Sequence, residues 1–274
     1  MSQPRTGTLK VPDATLHYEV LGDGPVLLLI PGGPADSEAF ASIKGVLSDR
    51  YTVITYDPRG LSRSPFDGEA QDTSVQTFAD DAHRLLAAVG DEPAYVLGNS
   101  GGALVGLDLL TRYPEQVRAL IAHEPPLSLL LDDADEHARF GREVHDTYRS
   151  EGVGPAMGKF LALTGLDRGS PQPPADPPPE MAEAMAQMQK NLDFFLGHMF
   201  IALGEYTPDI SLLRSRPVTV AAGEDSEGQL PYRAAVALAE QLGQEIVIFP
   251  GDHGGFGSHP EAFARRLDEV FSAY

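Results

Sequence analysis

The stretch YVLGNSGGAL, residues 95–104, decides how this chain is read. An apolar run at 94–97 breaks on Gly98-Asn99-Ser100-Gly101-Gly102, and apolar residues resume at Ala103. The break sets one hydroxyl between two glycines, at the spacing Gly98-x-Ser100-x-Gly102. That spacing fits a sharp strand-to-helix turn that lifts a serine Oγ to the top of a sheet. Glycines leave such a turn the room that a Cβ would fill. Five residues match too easily to stand alone, so the rest of the chain must supply a base, an acid and donors for an oxyanion.

Outward from this turn, short apolar runs recur at 16–20, 26–30, 53–56, 94–97, 119–122, 218–222 and 246–249. The run at 26–30, VLLLI, is continuously apolar, as in a strand covered on both faces. Helical patterns lie between them at 37–47, 74–89, 102–113, 232–242 and 260–271. In the second, Phe78, Ala82, Leu85, Leu86 and Val89 share one face at spacings of three and four. Such alternation predicts an α/β protein with a mostly parallel sheet. From 127 to 213 no strand-like run occurs, only helical patches at 135–151, 153–164 and 180–203. The proline-rich stretch 170–179 reads as a stiff exposed connection between the last two. The expected organisation is a core of residues 1–126 and 214–274 interrupted by a helical cap of residues 127–213. No internal repeat is evident.

Composition narrows the function classes. The 274 residues suffice for one large core carrying an insertion. The net charge of −20, from 40 acids against 20 bases, disfavours nucleic acid and anionic membrane as partners. Cysteine is absent, which excludes disulfides and thiolate catalysis. The first eleven residues, MSQPRTGTLKV, lack an apolar signal core, and no run of 18 apolar residues occurs, so a soluble cytoplasmic protein is expected. Zinc-ligand spacings, His-Glu-x-x-His and the phosphate-binding loop are all missing, so no metal and no cofactor is expected.

Three more motifs sit where strands end. The 26–30 run enters Pro31-Gly32-Gly33-Pro34, whose backbone N–H groups suit a developing oxyanion. The 53–56 run enters Asp57-Pro58-Arg59-Gly60, a charged turn whose Asp and Arg read as structural. The last run enters Pro250-Gly251-Asp252-His253-Gly254-Gly255-Phe256, and His253 stands out among eight histidines as a general base. His123 ends a strand beside Glu124 and reads as a supporting residue. His83 lies in a helix pattern and His259 at a helix start, while His17, His137, His145 and His198 have no supporting motif.

Taken in order, the GGP turn, the DPRG turn with Ser62-Arg63-Ser64, the GNSGG turn, the helical insertion and the terminal DHGGF resemble the α/β-hydrolase fold family. The resemblance covers essentially the whole chain, with the insertion in place of the family's cap. It implies a mostly parallel eight-stranded sheet with flanking helices. It also implies a nucleophile at Ser100, a base at His253, and an oxyanion hole from the N–H groups of Gly33 and Gly101. Pro31 stands where many relatives have His, which leaves those backbone donors in place. The acid departs from the usual pattern. Its common slot after the 218–222 strand holds Ser226, with Asp225 one residue early. Glu124, ending the 119–122 strand 24 residues after Ser100, occupies a second position that some family members use. Glu124 is preferred because the usual slot is vacant, and Asp225 stays open as the alternative.

A serine nucleophile selects acyl chemistry, whereas relatives that open epoxides or displace halide need an aspartate at the turn. The resemblance therefore implies hydrolysis of a carboxylic ester or lactone on a small or medium apolar substrate, through an acyl-enzyme. Amide, peptide or C–C bond cleavage and cofactor-free peroxidase-like chemistry use the same triad. A binding protein that has lost turnover is the alternative from another class. Pocket walls are expected from Phe160, Met188, Phe195 and Met199, and from Leu161, Met185, Phe194 and Phe200 beside them, with a methionine-rich lid at 181–199. The expected partner is a small ester-like molecule, with no nucleic acid and no membrane. Oligomeric state is left open.

Overall fold

The computed structural model describes residues 4–166, 174 and 176–274. Much of the proline-rich stretch 170–179 lies outside the described residues. Eight strands form one sheet: β1 (Arg5–Val11), β2 (Ala14–Leu21), β3 (Val26–Ile30), β4 (Thr52–Tyr56), β5 (Ala94–Asn99), β6 (Val117–His123), β7 (Val218–Gly223) and β8 (Val247–Phe249). They lie in the order β1-β2-β4-β3-β5-β6-β7-β8. The pairs β1·β2 and β2·β4 are antiparallel, and every pair from β4 to β8 is parallel.

The central strands are apolar throughout because helices cover both faces. In β3, Leu28 and Ile30 enter one core with α2 (Val75–Val89), α3 (Gly101–Arg112) and α9 (Leu230–Leu242). Leu27 and Leu29 enter the opposite core with α1 (Ala41–Leu47) and α11 (Pro260–Phe271). This is the two-residue period of a strand read on both sides. Local chemistry sets the helix starts. Ser74 caps α2 by accepting from Thr77 N–H at 3.1 Å, and Pro260 occupies the first turn of α11. The DPRG turn does structural work. Arg59 makes a two-pronged pair with Asp81 of α2 at 2.6 and 2.7 Å, and buried Asp57 accepts from Ser37 and Arg63.

Between β6 and β7 the described residues form helices: α4 (Ala134–Glu151), α5 (Val153–Thr164), α6 (Pro179–Phe194), α7 (Phe200–Gly204) and α8 (Ile210–Leu213). Two details depart from the sequence expectations. The first strand was not anticipated. It is an edge strand with Arg5, Thr6, Thr8 and Lys10 exposed, and only Leu9 and Val11 give its inward face apolar side chains, with Gly7 in the third place. The single helix expected over 180–203 is three segments, with a π-helical turn at Phe195–Met199 between α6 and α7. Among the described residues no helix is long and apolar enough to cross a membrane.

Candidate active site

The turn after β5 is as tight as its glycines suggest. A Cβ on Gly98 would stand 2.4 Å from Gly102 O, and one on Gly102 would stand 2.2 Å from Ile30 O. Only hydrogen fits at either position. Ser100 has φ 55° and ψ −123°, left-handed for a residue with a side chain, a conformation that costs on the order of 1–3 kcal/mol. It is held there by the bond from Ser100 N–H to His123 O at 2.9 Å. Among the described residues four non-glycine residues have positive φ, and two of them are Ser100 and Glu124. Strain concentrated on two candidate site residues points to function rather than accident.

Gly33 and Gly101 stand beside Ser100 on the same cavity wall. A Cβ on Gly101 would approach Gly33 N to 3.3 Å, so the two loops are in contact. Among the described residues neither glycine N–H donates to a protein group. Gly101 N–H is one of the unpaired donors at the start of α3 and carries the positive end of its dipole.

His253 lies on the loop after β8, and its Nδ1–H donates to Glu124 Oε2. Glu124 is fully buried, and its Oε1 accepts from Gly223 N–H at 2.9 Å. Burial alone would raise this carboxyl. The hydrogen bond from His253, the neighbouring His123 and His253 rings and the Gly223 N–H outweigh burial and hold it at about 2. An ionised carboxylate only accepts, which fixes the proton of a neutral His253 ring on Nδ1 and leaves Nε2 with its lone pair. Asp225 is not brought to the imidazole. It is exposed in the turn after β7, where its N–H donates to Gly251 O at 3.0 Å. Among the described residues no hydrogen bond runs from Ser100 Oγ to His253.

His123 supports the turn from below. Its Nδ1–H donates to Asn99 Oδ1 at 2.8 Å, and its ring packs against Phe249 and Phe263. Its Nε2 is buried with no partner. Burial, first of all, and the nearby His253 ring push it down to about 4 despite the opposing pull of Glu124. The folded state therefore keeps His123 neutral while the unfolded chain protonates it below about 6.5. Stability is lost as pH falls from 6.5 towards 4, by on the order of 3 kcal/mol. Urea unfolding at pH 7 and pH 4.5 should show a drop about 2–3 kcal/mol larger in the wild type than in His123→Gln. Equal drops would refute this account.

Ser100 opens into a cavity of about 180 Å³ under the helical insertion. Phe160, Phe195 and Phe200 line it, with Ile201, Leu203 and Leu230. Met188 does not. Met181, Met185 and Met188 are 42–44 % exposed, because α6 stands clear of the core along 180–190 and buries side chains only at its C-terminal end, at Asn191 and Phe194. Met199 is buried against a smaller neighbouring void, with Gly33, Gly101, Tyr56 and Leu203.

Two residues of the site escaped the sequence reading. His137 of α4 lines the cavity, and both ring nitrogens are buried without a hydrogen bond; Asp133 Oδ1 lies 3.2 Å from Nε2. Asn191 is fully buried. Its Nδ2 donates to Pro34 O at 3.1 Å and to Ser62 Oγ at 2.9 Å, and its Oδ1 accepts from Ser62 N–H at 3.0 Å. A polar side chain on the apolar stripe of α6, three residues before Phe194, was the available signal. Among the described residues no group of three or more His, Cys, Asp or Glu is arranged to hold a metal ion.

Comparison with known proteins follows this geometry. The sequence profile of the alpha/beta hydrolase fold matches residues 25–152. The chain is 38% identical over 272 residues to the uncharacterized hydrolase YraK of Bacillus subtilis (strain 168), covering 96% of this chain and 95% of that protein. It is 28% identical over 273 residues to a zearalenone hydrolase of Bionectria ochroleuca, covering 96% of each. A thermophilic esterase from Thermogutta terrifontis superposes with a TM-score of 0.73 at 22% identity, covering 99% of both chains. The enol-lactonase from Burkholderia xenovorans LB400 superposes with a TM-score of 0.70 at 16% identity, covering 97% of this chain and 100% of that one. At such identities the structural likeness is one of fold. The near full-length identity to the Bacillus relative goes further, and with the profile match it shows that this chain belongs to the α/β-hydrolase fold family.

Proposed function

We propose that the protein is a serine hydrolase that cleaves a carboxylic ester or lactone of a small or medium apolar substrate through an acyl-enzyme. Residues 1–126 and 214–274 would form its catalytic core, and residues 127–213 its cap. The observations that support this reading are a strained Ser100 that lines an apolar cavity and is held by His123 O, and the pairing of the next residue, Glu124, with His253. The names of the esterase and the enol-lactonase support the same bond class, and that of the zearalenone hydrolase supports hydrolysis.

In this reading Ser100 Oγ attacks the substrate carbonyl as its proton passes to His253 Nε2. Glu124 stabilises the imidazolium without taking the proton. The carbonyl oxygen becomes an oxyanion and accepts from Gly33 and Gly101 N–H, each such donor being worth about 3–4 kcal/mol in the transition state. Collapse breaks the bond to the leaving oxygen, which takes the proton from Nε2. Water then gives a proton to His253, attacks the acyl carbon and frees Ser100. The missing Ser100–His253 bond in the free protein accords with triads that tighten when substrate arrives.

The test is turnover of short-chain 4-nitrophenyl esters combined with labelling by a serine-directed phosphonate. Turnover and one label per chain are expected. A chain that neither turns over nor takes the label overturns the reading and favours a binding protein of the same fold.

A further inference from the structure

Phe160, Phe195 and Phe200 meet pairwise edge to face. Their ring centroids lie 5.8, 5.7 and 5.6 Å apart at interplanar angles of 79°, 83° and 72°. All three line the Ser100 cavity, and Phe160 and Phe200 keep part of their ring surface uncovered there. This arrangement is not what an ordinary helix gives. Phe195 and Phe200 are five residues apart, which in an α-helix places them about 140° apart around the axis. Here Phe200 N–H donates to Phe195 O, five residues back, and closes a π-helical turn. A turn closed at five residues brings its two ends onto one face. The extra residue therefore returns Phe200 to the side that Phe195 already presents, opposite Phe160 of α5. Turns of this kind are rare and are frequently found at functional sites.

We propose that Phe160, Phe195 and Phe200 form a subsite for a planar aromatic ring on the substrate. Aromatic rings carry a negative face and a positive edge, and edge-to-face partners gain over and above the area they bury. Three rings already set at steep angles to one another offer both kinds of surface to a fourth. A saturated ring of the same size buries similar area and lacks that gain. The space agrees. An apolar cavity of about 150 Å³ takes up one benzene, and this one is about 180 Å³. The inference takes the site from the hydrolase reading, but ring binding itself needs no turnover.

The test is calorimetric binding of methyl phenylacetate and methyl cyclohexylacetate to Ser100→Ala, which holds the ester without cleaving it. The phenyl ester is expected to bind about two- to ten-fold more tightly. Phe200→Leu and Phe160→Leu, each made in that background, are expected to bring the ratio below about two-fold. Equal affinities, no binding of either ester, or a ratio unchanged in both leucine variants would overturn the subsite. A retained preference with both esters left intact by the wild type would uphold the subsite and count against ester hydrolysis.

Discussion

Ser100→Ala is expected to lower kcat on short-chain 4-nitrophenyl esters by about 10⁴- to 10⁶-fold. The substitution removes one oxygen and keeps the Cβ. The strained backbone, the Ser100 N–H bond to His123 O and the cavity wall are therefore unaltered. Thermal unfolding should place the variant within a few degrees of the wild type, so lost activity is lost chemistry. A residual rate above uncatalysed hydrolysis is expected, since Gly33 and Gly101 N–H would still meet a carbonyl oxygen and water would attack in place of Oγ. KM should move little if the cavity does the binding. A variant that keeps more than about a tenth of wild-type kcat would remove Ser100 from the mechanism.

The second large effect belongs to Glu124→Gln, expected to cost about 10⁴ in kcat while Asp225→Asn stays within about two-fold. The reason lies in which end of the amide faces the imidazole. Gly223 N–H donates to Glu124 Oε1 at 2.9 Å, and the same donor will hold the glutamine oxygen. The amide NH₂ then faces His253 Nδ1 where an oxygen stood. An NH₂ group donates, so the neutral ring carries its proton on Nε2 and has no lone pair to offer Ser100. Glu124 itself, held at about 2, stays ionised down to strongly acidic pH and sets no acid limb of the rate profile. Asp225 is exposed, and among the described residues its side chain makes no hydrogen bond. If Asp225→Asn is the crippled variant, the loop after β7 must rearrange on binding and Glu124 is only a structural anchor.

Legibility followed the range over which each feature is encoded. The turn around Ser100 is local, because Gly98 and Gly102 answer to backbone atoms within a few residues and to the end of β3. Glu124 stood out for two local reasons, its place at the end of an apolar run and the serine at position 226 where an acid was sought. That it meets His253, 129 residues later, is a property of the sheet order. The edge strand β1 was missed because its inward face, Gly7, Leu9 and Val11, holds just two apolar side chains, too few to stand out from a turn. Met188 was misread because the stripe Met181, Met185, Met188 has helical spacing, and spacing does not say whether that part of the helix meets the core at all. The π-turn breaks the period of 3.6 that the sequence reading assumes, so the five-residue spacing that puts Phe195 and Phe200 on one face was not readable there. His137 is a polar residue in a polar helix, and nothing near it in sequence marks the cavity it borders.

Asn191 makes the helical insertion and the Gly33 loop one mechanical part. A single amide from α6 grips Pro34 O, next to Gly33, and Ser62 N–H. The same helix runs on into the π-helical turn whose Phe195, with Phe200 just beyond, lines the cavity. It cannot rise as a body without surrendering both partners to water. A shift of that helix would therefore be felt at once in the two rings and in the loop of Gly33, as one lever with two arms.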